Sequence, residues 1–229
     1  MQKIMDFFFN SADGAYSLTN AGIGACVVIM AVIAVIIAGF LFKKGKAVTL
    51  STKQLVCIAA MLALAVVTTN IKIFEMPYGG SITFFSMLFV CVIGYWYGPK
   101  IGLLSATIFS VLQFVLGGRT YILSFWQVCF DYILAFAALG LAGFFYKKKN
   151  GLIIGYIVAI MARGVMASVA GYLYWMEYMP ENFPKSLTVV YPIVYNYSYI
   201  LAEGIITVVI LLIPAVKNAM ASAKKMVNE

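Results

Sequence analysis

Residues 121–149 read YILSFWQVCFDYILAFAALGLAGFFYKKK. From Tyr121 to Phe145 the polar interruptions are Ser124, Gln127 and Asp131, and the run stops at Lys147, Lys148 and Lys149. An apolar run longer than about 20 residues, closed by lysines, predicts a helix that crosses a bilayer and ends on the cytoplasmic side. The rest of the chain has the same character. Of 229 residues, 64% are hydrophobic and 10% charged, and mean hydropathy is +0.99. An ordinary soluble domain is about 45–50% apolar and about 25% charged. This composition excludes a soluble enzyme, a disordered chain and a disulfide scaffold. The sequence has no His, so imidazole-based triads, metal sites and pH switches are excluded too.

Working outward, six further runs are candidate spans: 20–42, 53–73, 83–97, 101–116, 151–175 and 187–213. The third and fourth in chain order are short and meet at the turn signal Gly98-Pro99. The first, with Lys43 and Lys44 behind it, reads as a retained anchor rather than a cleaved signal. The charges orient the bundle. With the N-terminus outside, the inner segments carry Lys43, Lys44, Lys46, Lys53, Lys100, Lys147, Lys148, Lys149, Lys217, Lys224 and Lys225 against Glu229. The outer segments carry Lys3, Lys72, Arg119 and Lys185 against Asp6, Asp13, Glu75, Glu177 and Glu181. The net charge of +8 therefore marks topology, and no nucleic-acid partner is expected. The expected architecture is an all-α membrane protein in the cell membrane. Its N-terminus is extracellular and its C-terminus cytoplasmic. Residues 1–52 form an N-terminal segment, an extra transmembrane helix and a linker, and residues 53–229 form a six-helix body. Cys26, Cys57, Cys91 and Cys129 all lie in apolar runs and read as small buried hydrophobes.

Three charges remain inside the spans: Asp131, Arg163 and Glu203. A charge in hydrocarbon is costly, so each needs a partner or a function. Asp131 lies about 15 Å from the outer end of its span at 1.5 Å per residue. Ser124, Gln127 and Asp131 share one helix face, which must look into the bundle or a cavity. Two assignments stand for Asp131: a ligand carboxylate, or an ion-pair partner of Arg163. Arg163 and Glu203 are likewise candidates for a structural pair. Ala167, Gly171, Tyr174 and Trp175 line one side of the sixth span, and Tyr195, Asn196, Tyr199 and Glu203 mark the seventh, with Tyr191 higher. Rings around a carboxylate suit an organic cation. Ala59 and Ala63, four apart on the second span, would let another helix approach closely, within the bundle or from a partner.

The stretches GGSITFFSML (79–88), YILSFWQVCFDYILAFAALGLAG (121–143) and VYNYSYILAE (194–203) resemble the substrate-binding S component of energy-coupling factor vitamin transporters, thiamine type. The resemblance covers about 170 residues from the second span on. It implies a six-helix body with an outward thiamine site under a loop lid. It also implies a subunit that binds vitamin, while a membrane scaffold (T) subunit and two cytoplasmic ATPases drive uptake. By the resemblance, the acidic-Tyr pair is Asp131 and Tyr132, with Asp where Glu is usual. The stacking Trp is Trp175, the Tyr and Asn of the last helix are Tyr191 and Asn196, and Ala59 and Ala63 contact the scaffold. Ala167 stands where the family carries a ligand-contacting His. Gln127, Tyr174 and Tyr199 complete the expected substrate-binding set. No cofactor and no metal are expected. The competing expectation is a stand-alone carrier of an organic cation driven by an ion gradient. An enzyme is disfavoured, because the spans hold no metal-ligand cluster and no nucleophile beside a base. No P-loop is present, so the chain is not itself the ATPase.

Overall fold

A computed structural model describes residues 49–228 except 117–120 and 182, together with 9–12, 15–19, 21 and 28. The expected first span, 20–42, lies outside the described residues but for two isolated positions. Near the N-terminus, β1 (Phe9–Ala12) and β2 (Ala15–Leu18) pair as an antiparallel hairpin. The body begins with α1 (Thr52–Asn70), capped by Ser51 in a reciprocal capping box with Gln54. Ile58, Leu62, Ala65, Thr68 and Thr69 bury one narrow stripe of α1. Thr68 and Asn70 bond back to carbonyls of their own helix, which keeps their polar groups satisfied in an apolar setting.

The chain then makes a second hairpin, β3 (Lys72–Glu75) against β4 (Ser81–Thr83), with a bulge between Lys72 and Phe74. A one-turn 3₁₀ segment, Pro77–Gly79, joins them. Only then does α2 (Ser86–Tyr97) start. The span expected to begin at Thr83 is therefore corrected: Thr83 is a strand residue. Twelve residues rise about 18 Å, short of the roughly 30 Å hydrocarbon core, and the hairpin precedes α2 where the rest of a span was expected. Phe85, which enters α2, holds a left-handed φ of 62°, a conformation that costs a non-glycine residue about 1–2 kcal/mol. Glu203 supports it by accepting bonds from Thr83 N and Oγ1 at 2.8 and 2.7 Å and from Met87 N at 3.5 Å.

Helices α3 (Pro99–Leu116), α4 (Phe125–Phe145), α5 (Gly151–Tyr174) and α6 (Tyr191–Leu212) complete the bundle. With α1, and with α6 counted together with the 3₁₀ turns of Lys185–Val190 that lead into it, these are five helices long and apolar enough to cross a membrane, and α2 is the short sixth. α4 is not uniform. Ser124 caps it, residues Cys129–Leu134 are π-helical, and it tightens to 3₁₀ over Ala138–Phe145. Glycines let α2, α3 and α4 pack backbone to backbone: a Cβ on Gly102 would meet Gly94 Cα at 2.7 Å. Without a hydrophobic drive between helices in lipid, such close approach supplies the packing. Met87, Phe109, Leu139, Tyr156 and Ile200 are among the fully buried core side chains.

One element was not expected from the sequence. After Ile213 the chain forms α7 (Pro214–Asn228). Its Val216, Met220, Ala223 and Val227 pack against Val92, Trp96, Leu152 and Leu211. Lys224 reaches the Tyr146 carbonyl at 2.6 Å and lies over the Tyr95 ring, and Lys53 donates to the Met226 carbonyl. Lysines interrupt the apolar run, so hydropathy alone conceals the helix. The i, i+4, i+7, i+11 spacing of its partly buried side chains is what defines it.

Candidate functional site

The π-helical turn of α4 sets the key side chain. There the Ala135 N–H bonds to Phe130 O, five residues back. Such turns displace side chains from their α-helical register. Gln127 and Asp131, four residues apart on one face, meet directly, with Gln127 Nε2 donating to Asp131 Oδ2 at 2.8 Å. Gln127 is fully buried and its Oε1 accepts from Leu123 N, so its amide has one orientation. At the end of α5, Trp175 Nε1 donates to the same Asp131 oxygen at 2.7 Å. Two N–H donors thus hold Oδ2, and Oδ1 has no donor among the described residues. Charge-assisted bonds of this kind are about twice as strong as neutral ones.

Asp131 lines a cavity of about 130 Å³. At roughly 10–15 Å³ per water position, that is room for an organic molecule and not merely for one or two waters. Tyr132, Trp175, Tyr191, Asn196 and Tyr199 line the same cavity, as do Tyr178 and Tyr195. Rings lead into one another along the wall: Tyr191 lies 5.9 Å from Tyr195, and Tyr195 lies 6.1 Å from Tyr199, while Tyr121, outside the lining, meets Trp175 edge-on at 5.9 Å. Tyr132 OH accepts from Tyr121 N and donates to Tyr121 O. This pins the extended lead-in to α4 and explains why the helix begins at Phe125 and not at Tyr121. Asn196 has the partners a buried amide requires. Its Nδ2 donates to Pro192 O and Ala167 O, and its Oδ1 accepts from Tyr199 OH at 2.9 Å.

The expected site residues therefore divide. Asp131, Tyr132, Trp175, Tyr191, Asn196 and Tyr199 converge on the cavity. Gln127 stands behind Asp131 and orients it without lining the space. Tyr174 is not among the lining residues. The Asp131–Arg163 pair, one of the two assignments open for Asp131, is absent among the described residues, and so is the candidate Arg163–Glu203 pair. Neither carboxylate lies within ion-pair distance of Arg163, because each is satisfied by N–H or O–H donors nearer in the fold. The Arg163 guanidinium instead lies 4.3 Å from the Phe136 ring centroid.

Sequence reasoning missed the hairpin's share of the site. Lys72, Gly79, Gly80 and Ser81 line the cavity. Tyr195 OH accepts from Gly80 N and donates to the Pro77 carbonyl, fastening the hairpin over α6. A Cβ at Gly80 would meet the Tyr199 ring at 2.8 Å, so only glycine allows this approach. The adjacent glycines at 79 and 80, just before Ser81-Ile-Thr83, were the available signal.

Outside the cavity, Ala59 and Ala63 are exposed on α1, beside Leu55, Val56 and Val67. They do not pack within the described bundle.

The fold and the site together define a multi-pass helical membrane protein with an aromatic-walled cavity around one carboxylate. More particularly, the chain belongs to the thiamine transporter protein family, which it matches over residues 55–222. It is 28% identical to the thiamine transporter ThiT of Bacillus subtilis (strain 168), a match covering 69% of this chain and 88% of that protein. A solved structure of ThiT from Listeria monocytogenes superposes with a TM-score of 0.55 at 26% identity. That match covers 69% of this chain and 92% of the other.

Proposed function

We propose that this chain is the substrate-capture subunit of an energy-coupling factor transporter and that it binds thiamine from the extracellular side. The carrying observation is the Asp131 carboxylate, held on Oδ2 by Gln127 and Trp175 with Oδ1 left for a ligand, inside a cavity walled by tyrosines and a tryptophan. A thiazolium cation gains from both features: Coulomb attraction to a desolvated carboxylate, and the negative faces of the rings. In this reading Tyr132, Trp175, Tyr191, Asn196 and Tyr199 are binding residues with Asp131, and Gln127 positions the carboxylate.

The chain holds no P-loop, so uptake is assigned to partners: a membrane scaffold subunit and two cytoplasmic ATPases. The exposed Ala59 and Ala63 face of α1 is the proposed scaffold contact, since small residues admit a close helix. The N-terminus is placed outside and the C-terminus inside, with α7 and its lysines on the cytoplasmic surface. Residues 53–229 are the binding body, and residues 1–52 are an appended segment with its own span. The test is titration of the purified chain with thiamine, followed by tryptophan fluorescence. Saturable quenching at micromolar ligand or below, without ATP, is expected. Folded protein that shows no quench and no competition with labelled thiamine refutes the assignment.

A further inference from the structure

The docking of α7 gathers lysines at one end of the bundle, far from the cavity. The turn between α4 and α5 carries Lys147, Lys148 and Lys149, all exposed. Lys224 of α7 donates to the Tyr146 carbonyl at 2.6 Å from 78 positions away in the chain, which brings a fourth ammonium to the same turn. Three of the four rest on rings. Lys147 Nζ lies 5.2 Å from the Tyr146 centroid, Lys148 Nζ 5.2 Å from that of Phe145, and Lys224 Nζ 3.6 Å from that of Tyr95. Aromatic rings at the ends of spanning helices mark the headgroup level of a bilayer, so these ammonium groups are held at that level. No ion pair among the described residues joins Lys147, Lys148 or Lys149 to a carboxylate. The described carboxylates lie elsewhere: Glu75 in the hairpin, Asp131 and Glu203 in the interior, Glu177 and Glu181 beyond the far end of α5. Like charges gathered at one turn repel one another, and a bound anion relieves the repulsion.

The neighbouring surface decides the kind of anion. Phe144 is exposed at the end of α4, and Ile154, Val158, Met161 and Val165 are exposed along α5. Their spacing of four, three and four residues puts the α5 side chains on one helix face. The lysine turn therefore continues into an apolar strip that runs along a spanning helix. A free phosphate or an acidic soluble protein gains nothing from that strip, whereas an acyl chain does. We propose that Lys147, Lys148, Lys149 and Lys224, together with the strip, form a binding surface for an anionic phospholipid. Its phosphate sits among the ammonium groups, and its chains lie along α5. This goes beyond the thiamine reading and does not depend on it; it requires only that α4 and α5 cross the bilayer.

The test uses the purified full chain in detergent as wild type, as the combined variant Lys147→Gln, Lys148→Gln and Lys149→Gln, and as Lys185→Gln, which removes an exposed lysine beyond the far end of α5. Each is titrated with dioleoylphosphatidylglycerol, with dioleoylphosphatidylcholine and with glycerophosphoglycerol, the anionic headgroup without chains. Bound ligand is counted by native mass spectrometry, and circular dichroism checks the fold. A lysine beside an anionic lipid surface contributes about fivefold in affinity. The combined variant is therefore expected to bind phosphatidylglycerol at least tenfold more weakly, while Lys185→Gln binds it as wild type does. Wild type should favour phosphatidylglycerol over both other probes. If the combined variant does not fold, Lys148→Gln alone carries the comparison, with about a fivefold loss expected. Phosphatidylglycerol affinity within about threefold of wild type in the folded combined variant overturns the proposal, as does a loss of less than about twofold where Lys148→Gln stands in for it. Equal binding of the two lipids by wild type also overturns it. Headgroup alone binding as tightly as the lipid makes this a free-anion site and refutes the lipid assignment. A combined variant that keeps its lipid but no longer assembles with scaffold and ATPase subunits assigns the lysines to a protein partner, and the proposal falls.

Discussion

Replacing Asp131 by Asn removes the cavity's carboxylate charge while keeping its shape. The amide oxygen can still accept from Gln127 Nε2 and Trp175 Nε1, now at 2.8 and 2.7 Å from Oδ2. The amide nitrogen must then replace Oδ1, so two N–H groups face the ligand where a lone pair stood. The variant should fold, because both internal donors keep an acceptor. Its loss falls on the ligand. A hydrogen bond to a charged group contributes about 1.5–3 kcal/mol, which at 1.4 kcal/mol per decade is roughly a 10- to 150-fold rise in Kd. Fluorescence titration of Asp131→Asn with thiamine, with circular dichroism to confirm helix content, measures it. Trp175→Phe is a companion variant that keeps a ring and deletes the Nε1 donor. Its smaller loss would report the orientation of the carboxylate. Affinity for Asp131→Asn within about threefold of wild type would refute the argument and remove Asp131 from the site.

Three further outcomes follow from the geometry. Gly80→Ala places a methyl group 2.8 Å from the Tyr199 ring, so the hairpin must lift, and thiamine affinity should fall at least severalfold; unchanged Kd would show that the hairpin does not close the site. Glu203→Gln keeps one acceptor but loses the charge-assisted bonds to Thr83 and Met87, so we expect destabilisation of about 1–3 kcal/mol, read as a lower thermal-unfolding midpoint in detergent. Ala63→Trp puts bulk on the exposed face of α1; thiamine binding by the isolated chain should persist while uptake with scaffold and ATPase subunits falls, and undiminished uptake would place the scaffold elsewhere.

How legible the site was depended on the kind of interaction. Asp131 could be singled out because a carboxylate in a hydrocarbon span is expensive wherever it points. Its partners could not. The helical repeat put Gln127 and Asp131 on one face, but nothing local announced the second donor, Trp175 Nε1, 44 residues away. Arg163 was a natural partner on charge alone. It was displaced because Trp175 and Gln127 reach Asp131, and Thr83 and Met87 reach Glu203, through contacts between residues 44 to 120 positions apart as well as local ones. Asn196 finds Pro192 O and Tyr199 OH within its own helix, but Ala167 O became identifiable only when α5 and α6 were seen side by side.

The sequence by itself determined the class of the protein. Hydrophobic runs of spanning length, and lysines gathered on one set of loops, leave a helical membrane bundle as the form that satisfies the backbone in lipid. The quoted stretch 121–149 already carried that conclusion, together with the charge that matters most. Tertiary structure decided what the charges do. It shortened α2 and put a hairpin before it, and it docked α7 through a stripe that hydropathy hides. It also left Arg163 on a phenylalanine ring. The physical reason is one of range. Burial in lipid is a property of each segment and is written locally, whereas hydrogen-bond partners in the interior are chosen in competition among distant groups.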